Sequence, residues 1–293
     1  MATTITQAFN QLKNKLEITG LQRERVATRQ SNIREVLESG LEVVDSFLTG
    51  SYSRNTMIAP LSEADIDIFI VLDDRYFHRY NGQNGGQAGL LDLIKRTLKK
   101  TYTRTPDISR NGQAVTIRFE DFLVDVVPSF KLRSRGFLMP NSITQQWITT
   151  DPKKHVEISS AMNQSHNGDY VPLVTMIKGW NKSHSSFFRS FHLETLALEI
   201  LDNVAISDFP SGVRYYFSKG VSLISKKNSD PAGYGGDVGS YLDSREIIQE
   251  AEHRFQRAYE LSSEAVILGN EGYTLQAISK WRTLFGDYFP AYG

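Results

Sequence analysis

Three aspartates stand in segments whose composition favours β-strands. Asp65 and Asp67 lie in DIDIFIVL, and Asp125 lies between apolar residues in LVDVV. Side chains at positions i and i+2 of a strand leave the same face, so Asp65 and Asp67 project together. A carboxylate in an apolar strand is costly to bury unless it has a cation, a hydrogen-bond partner or a wet cleft. If the two strands are neighbours, the pattern predicts a site for hard divalent cations, and two Mg²⁺ ions about 3.5–4 Å apart serve phosphoryl or nucleotidyl transfer.

A Gly-Ser pair precedes the acidic strand. Gly50 ends the apolar segment VVDSFLT, and a residue without a Cβ lets the backbone approach a ligand closely. The amides of such a turn and the Ser51 hydroxyl are donors that would bind phosphate oxygens. An isolated Asp-x-Asp or Gly-Ser pair is most often an ordinary surface feature. The order and spacing of the whole set are what favour a site.

Composition limits the function classes. The 293 residues include 33 basic and 33 acidic side chains and no Cys. Zero net charge argues against a dedicated nucleic-acid coat, and the lack of Cys excludes disulfides, thiolate zinc sites and a Cys nucleophile. The amino terminus does not resemble a signal peptide, and no apolar run reaches the roughly 18 residues of a membrane span. We therefore expect a soluble, cytoplasmic protein without a membrane partner.

The order of elements predicts an α+β fold. Residues 5–45 have helical periodicity with a possible break at Thr19-Gly20, 81–88 is a polar loop, and AVTIRF with FLVDVVPSF forms a hairpin. Helix-period stretches fill 154–202 and 243–285, and the Gly-rich segment 225–241 is a loop. A strand-rich amino-terminal half thus precedes a helical carboxy-terminal half.

The motif GSYSRNTMIAPLSEADIDIFIVL resembles the G-S-x-x-R-x-T…D-I-D signature of the nucleotidyltransferase superfamily that includes DNA polymerase beta. The chain is more narrowly similar to the bacterial cyclic-oligonucleotide synthases (CD-NTases), relatives of cyclic GMP-AMP synthase and oligoadenylate synthase. The segments that carry this similarity are VDVVPSF (124–130), DPKKHVE (151–157), LVTMIKGWNKSHSSFFRSFHLETLALEIL (173–201) and NSDPAGYGGDV (228–238). The resemblance covers roughly residues 35–285.

This resemblance implies a polymerase-beta-like catalytic core with a mixed sheet over 1–150, which includes the long amino-terminal helix. A helical domain over 151–293 would complete the nucleotide pocket, with the active site in the cleft between the two.

The resemblance also implies roles for individual residues. Asp65 and Asp67 would ligate the Mg²⁺ that holds the donor triphosphate, and Asp125 would join them at a second Mg²⁺ that activates the acceptor hydroxyl, with Mn²⁺ as a substitute. The residues that would hold phosphates are Gly50, Ser51, Lys178 and Ser190.

Other side chains in these segments have less specific interpretations. Trp180, Phe191 and Leu193 are expected in the core, and Arg54 and Thr56 are expected to orient the Gly-Ser loop. His192 and Glu194 are expected in helix packing or a capping network, although His192 could face a base. The Gly-rich loop 225–241 contains the Asp-Pro pair of NSDPAGYGGDV, and its tyrosines Tyr234 and Tyr241 could stack on a base.

The function implied by the resemblance is Mg²⁺-dependent joining of nucleoside triphosphates, ATP foremost, into a cyclic di- or trinucleotide with release of pyrophosphate. The product would bind a downstream effector in antiphage (CBASS-type) signalling, and no DNA or RNA activator is expected. The alternatives are a linear, oligoadenylate-synthase-like enzyme and an RNA-tailing nucleotidyltransferase. An antibiotic or protein nucleotidyltransferase would lack the K-x-W-N…S-F-H-L-E block, and a pseudoenzyme would lack one of the three carboxylates.

Overall fold

The computed structural model describes residues 1–103 and 107–293, which form two compact units. One unit is Ile18–Val156, and the other combines Met1–Glu17 with Glu157–Gly293. The helices are α1 Ile5–Leu16, α2 Gly20–Glu38, α3 Gly50–Ser53, α4 Asp74–Asn81, α5 Gly86–Thr101, α6 Pro152–Ser165, α7 Tyr170–Ser183, α8 Ser190–Leu201, α9 Phe209–Leu223, α10 Arg245–Asn270 and α11 Thr274–Phe285. The strands are β1 Val43–Leu48, β2 Asp65–Leu72, β3 Asp107–Asn111, β4 Ala114–Arg118, β5 Leu123–Lys131, β6 Phe137–Asn141 and β7 Gln146–Thr150.

A mixed sheet lies in the unit Ile18–Val156. Its strand order is β1-β2-β5-β4-β3, and β6 pairs with both β5 and β7. The central strands β2 and β5 run parallel, whereas β1 pairs antiparallel with β2 and β4 pairs antiparallel with β5. The predicted hairpin of β4 and β5 is therefore confirmed, as is the α+β class.

The two faces of the central strands have different surroundings. Ile66, Ile68 and Ile70 pack into a large core with apolar residues of α2 and α5. Phe69 and Val71 point to the other face, in a smaller apolar cluster. Since side chains alternate along a strand, Asp65 and Asp67 share the face of Phe69 rather than the large core.

The predicted break at Thr19-Gly20 is confirmed as the start of α2. The Thr19 hydroxyl accepts a hydrogen bond from the Gln22 backbone N–H at 3.2 Å, and Gln22 Oε1 accepts one from the Thr19 N–H at 2.8 Å. This reciprocal capping box satisfies two backbone donors that the first turn of a helix leaves unpaired. It separates α1 from α2.

The division into units differs from the predicted boundary at 150/151. Helix α1 belongs with the helical unit, because its buried side chains Phe9 and Leu16 pack there: the ring centroids of Phe9 and Trp281 are 5.0 Å apart, and Leu16 lies against Gly179. An amphipathic pattern shows which face of a helix is buried but does not identify its partner.

Several elements differ from the sequence-based expectation. The loop predicted at 81–88 is shorter, since α4 reaches Asn81 and α5 begins at Gly86. Strands β3, β6 and β7 and helix α9 were not predicted, whereas the loop over 225–241 is confirmed. In the described part of the chain, no helix combines the length and apolar character needed to cross a membrane.

Candidate active site

The register of the two central strands aligns two of the predicted carboxylates. Asp67 of β2 is paired with Asp125 of β5, and Asp65 is paired with Leu123. Residues that are paired in a parallel sheet project to the same face, so the carboxylates of Asp67 and Asp125 are neighbours. Asp65 lies two residues before Asp67 on this face and is exposed, whereas Asp67 is half-buried. The structure thus brings the three predicted aspartates to one end of the central strand pair.

Gly50 makes room for one of these carboxylates. Its φ is +65°, a left-handed conformation that favours glycine, and a Cβ there would collide with Asp67 Oδ2. The neighbouring Thr49 N–H donates to the Asp67 carbonyl at 2.9 Å, which fixes the turn against β2. The Asp67 side chain therefore lies where a Cβ at position 50 would stand, and the phosphate contacts of Gly50 and Ser51 stay predictions.

The loop after Gly50 is held by its own backbone. Ser51 lies in the single helical turn α3, and its carbonyl accepts hydrogen bonds from the Thr56 and Met57 N–H groups at 2.9 and 3.1 Å. Thr56 is fully buried, and its hydroxyl also donates to the Ser51 carbonyl at 3.4 Å. The expectation that Thr56 orients the Gly-Ser loop is confirmed.

The surroundings of Asp67 and Asp125 disfavour the ionised form of both carboxyl groups. Burial raises the pKa of Asp67 to about 7, the Asp125 carboxylate adds to this, and the Arg54 guanidinium partly opposes it. Burial also raises the pKa of Asp125, and the hydrogen bond from Thr116 partly opposes that rise. Ionising both carboxylates therefore carries a cost that a bound cation would relieve.

The donor chemistry of this pair fits Mg²⁺. Carboxylate oxygens are the hard ligands that Mg²⁺ prefers. Among the described residues, no three His, Cys, Asp or Glu side chains are arranged to enclose a metal ion. Mg²⁺ is commonly bound by one or two carboxylates together with water and substrate phosphates, so an open pair such as Asp67 and Asp125 is a suitable holder.

Two predicted phosphate ligands belong to the helical unit. Lys178 of α7 is buried, and its Nζ lies 3.1 Å from Glu194 Oε1 of α8, with each side chain only 5% exposed. Ser190 is exposed at the first position of α8. The phosphate roles of Lys178 and Ser190 stay predictions, and for Lys178 the role requires that Glu194 share or release the ammonium group.

The expected buried network around α8 is present. His192 is fully buried, and its Nδ1 hydrogen-bonds the Tyr241 hydroxyl at 3.1 Å. The same hydroxyl accepts the Arg189 N–H at 3.1 Å, and the Arg189 guanidinium lies 4.6 Å from the centre of the Tyr241 ring. Burial lowers the pKa of His192, which favours the neutral imidazole. Tyr241 therefore anchors the loop, whereas Tyr234 remains 36% exposed.

The core assignments hold for Trp180 and Leu193, which are buried, while Phe191 is only partly buried.

Sequence reasoning missed Thr116 of β4, whose hydroxyl donates to Asp125 Oδ1 at 2.5 Å. The strand pattern of AVTIRF contained the signal, since Thr116 is a polar residue between Val115 and Ile117. It also missed Asp230, whose Oδ2 accepts the N–H groups of Tyr234 and Gly235 at 3.2 and 2.7 Å.

Comparison with known proteins gives concordant results. The family model described as "Second Messenger Oligonucleotide or Dinucleotide Synthetase domain" matches residues 3–163. The cyclic AMP-AMP-AMP synthase of Acinetobacter sp. is 24% identical over 98% of this chain and 86% of its own length. The Escherichia coli MS115-1 CdnC structure with ATP has a TM-score of 0.75 and 17% identity over 98% of this chain and 99% of its own. The cyclic AMP-GMP synthase DncV of Vibrio cholerae has a TM-score of 0.69 and 18% identity over 97% of this chain and 87% of its own.

Proposed function

Because the chain belongs to the family of second messenger oligonucleotide or dinucleotide synthetase domains and is thus a nucleotidyltransferase, we propose that it joins nucleoside triphosphates, ATP foremost, into a cyclic di- or trinucleotide with the help of Mg²⁺. The observation that carries this proposal is the aligned pair Asp67 and Asp125 beside the Gly50-Ser51 turn. The names of the relatives support adenine as a base, since one is a cyclic AMP-AMP-AMP synthase and another a cyclic AMP-AMP-GMP synthase.

Each joining step exchanges one phosphorus–oxygen bond for another. A 2′- or 3′-hydroxyl oxygen of the acceptor bonds to the donor's α-phosphorus, the bond from that phosphorus to the β-phosphate oxygen breaks, and pyrophosphate leaves. Asp125 Oδ1 is engaged by Thr116, so we assign the proton of the attacking hydroxyl to Oδ2. The Ser51 turn binds donor phosphates. Asp65 and Asp67 would hold the Mg²⁺ at the donor triphosphate, and Asp125 would join them at a second Mg²⁺. Bound Mg²⁺ supplies positive charge for the transferred phosphoryl group.

Ring closure repeats the same chemistry within one molecule. The linear intermediate keeps a 5′-triphosphate and a free ribose hydroxyl, so it can serve as donor and acceptor together. Release of a second or third pyrophosphate then leaves a product without terminal phosphates. Such a product resists phosphatase, which distinguishes it from a linear oligomer.

The test is product analysis with matched variants. The purified chain is incubated with the four triphosphates with and without Mg²⁺, or with Mn²⁺ in its place, and products are resolved by mass after phosphatase treatment. We expect a phosphatase-resistant cyclic product that needs the metal and is lost in Asp67→Asn. Asp74→Asn removes an exposed carboxylate of the same unit and should keep full activity. Normal turnover by Asp67→Asn would overturn the assignment, and long linear oligomers alone would favour the oligoadenylate-synthase-like alternative.

The proposal also covers what activates the enzyme, where it acts and what its product binds. We also propose, from the resemblance to the family, that the reaction takes place in the cytoplasm and that the product acts on a downstream effector in antiphage signalling. The balanced charge of 33 basic and 33 acidic residues supports synthesis without a polynucleotide activator. Double-stranded DNA or RNA should therefore leave the rate unchanged. A large stimulation that depends on length and falls with salt would contradict this part.

A further inference from the structure

A cavity of about 440 Å³ lies within the helical unit, bordered by α1, the start of α9, α10 and α11. Apolar and aromatic side chains such as Phe9, Phe209, Val266 and Trp281 line it. Its volume falls in the range of about 300–1,000 Å³ that is typical of small-molecule sites. Asp65, Asp67 and Asp125 belong to the other unit and do not line this cavity.

Trp281 lies in the wall of the cavity. Its side chain is fully buried, and its indole Nε1–H has no hydrogen-bond partner among the described residues. Phe9 and Phe285 hold the ring, at centroid distances of 5.0 and 6.1 Å.

The charge at the cavity is negative. Asp169 and Asp208 line it, and none of its described lining residues is Lys, Arg or His. Asp208 Oδ1 accepts the Ser211 N–H at 2.7 Å as the cap of α9. Asp169 is half-buried at the N-cap position of α7, yet within the described structure its side chain makes no capping hydrogen bond. A phosphate or carboxylate group would meet two like charges and no cation here.

We propose that this cavity binds a small heteroaromatic molecule that is neutral or cationic and carries no phosphate. An amino group of the ligand donates to Asp169. The aromatic and aliphatic walls contact the ring. This site is separate from the proposed triphosphate chemistry, because the triphosphate carries the charge that the cavity disfavours.

Binding is tested on the full chain with three probes of similar ring type. Adenosine is uncharged, 4-aminoquinoline is cationic, and adenosine monophosphate adds one phosphate to the first probe. The readouts are the indole N–H signals of the three Trp residues in ¹⁵N NMR and the thermal midpoint, neither of which depends on catalysis. We expect adenosine or 4-aminoquinoline to shift the Trp281 signal and raise the midpoint. We expect adenosine monophosphate to bind at least about tenfold more weakly than adenosine, a difference of about 1.4 kcal/mol.

Two neighbouring positions on α10 provide matched variants. Val266→Phe fills the cavity and should weaken binding at least about tenfold, whereas Ile267→Phe adds the same ring at a position that is 54% exposed and should change nothing. Asp169→Asn keeps the shape and should weaken 4-aminoquinoline more than adenosine, which tests the charge even if Val266→Phe fails to fold. Absence of any shift at Trp281, equal binding of adenosine monophosphate, or unchanged affinity in a folded Val266→Phe would each overturn the proposal.

Discussion

At the scale of single residues, Gly50 and Asp67 depend on each other. The carboxylate of Asp67 occupies the volume that any larger side chain at position 50 would need, and the backbone at position 50 is left-handed. Such a glycine is required for two separate reasons, sterics and conformation. Sequence reasoning identified this glycine and the close approach that it permits, but not that Asp67 lies against it, because a sequence does not show which atom is nearest.

Replacing this glycine should abolish synthesis. Gly50→Ala places a methyl group against Asp67 Oδ2 at a φ of +65°, so the carboxylate must move and the turn is strained. We expect product formation to fall by about 100-fold or more, as a misplacement of about 1 Å can cause, with a stability loss above about 1 kcal/mol. The control is Gly82→Ala, since Gly82 has a φ of −86° and no described atom within 4 Å of the added Cβ. Equal activity of the two variants would contradict the role assigned to Gly50.

The raised pKa of Asp67 predicts a pH dependence of stability in the metal-free chain. Between its usual value of 3.8 and the folded value of about 7, the folded chain keeps a proton that the unfolded chain has released. The free energy of unfolding should therefore fall as pH rises through this window, by up to about 4 kcal/mol in total and by about 2–3 kcal/mol between pH 5 and pH 8. Urea unfolding in chelator at pH 5 and pH 8 measures it. Asp67→Asn should lose this contribution, and Mg²⁺ should stabilise the unsubstituted chain more at pH 8 than at pH 5.

At the scale of elements, the strands that carry the site were predictable and their register was not. The alternation in DIDIFIVL and the apolar residues around Asp125 identify β2 and β5 as strands. They also show which residues share a face of each strand. The pairing of Asp67 with Asp125 depends on a parallel contact between strands far apart in sequence. Local patterns do not encode that contact. The short strands β6 and β7 also escaped prediction, because neither FLMPN nor QWITT alternates apolar with polar residues.

The hydrogen bond between strands β4 and β5 should tune the site. Thr116 donates to Asp125 Oδ1 and so lowers the pKa of that carboxyl against the effect of burial. Thr116→Val removes the donor, so the pKa of Asp125 should rise and the acidic limb of the kcat/KM profile should move to higher pH. Thr116→Ser keeps a hydroxyl and should retain the original profile. A loss of rate in Thr116→Val without any shift of the limb would indicate a packing defect instead.

At the scale of the whole molecule, the chain order does not match the order of the compact units. Residues Met1–Glu17 join the helical unit although Ile18–Val156 follows them directly. The sequence placed the first helix in the catalytic core, because continuity along the chain was the available guide. What decides its place is aromatic packing by Phe9, whose ring meets those of Trp281, Phe285 and Phe289 at 5.0–6.2 Å.

This packing predicts which unit suffers when α1 is damaged. Phe9→Ala deletes a fully buried ring and should cost about 3–5 kcal/mol of stability, as large-to-small core substitutions do. Amide hydrogen exchange should report lost protection in α7 and α11 before β2 and β5, since α1 contacts the former pair. The control Ile33→Ala removes a buried side chain from the core of Ile18–Val156 and should give the reverse order. If Phe9→Ala instead exposed β2 and β5 first, α1 would belong functionally to the catalytic core, as its position in the chain suggests.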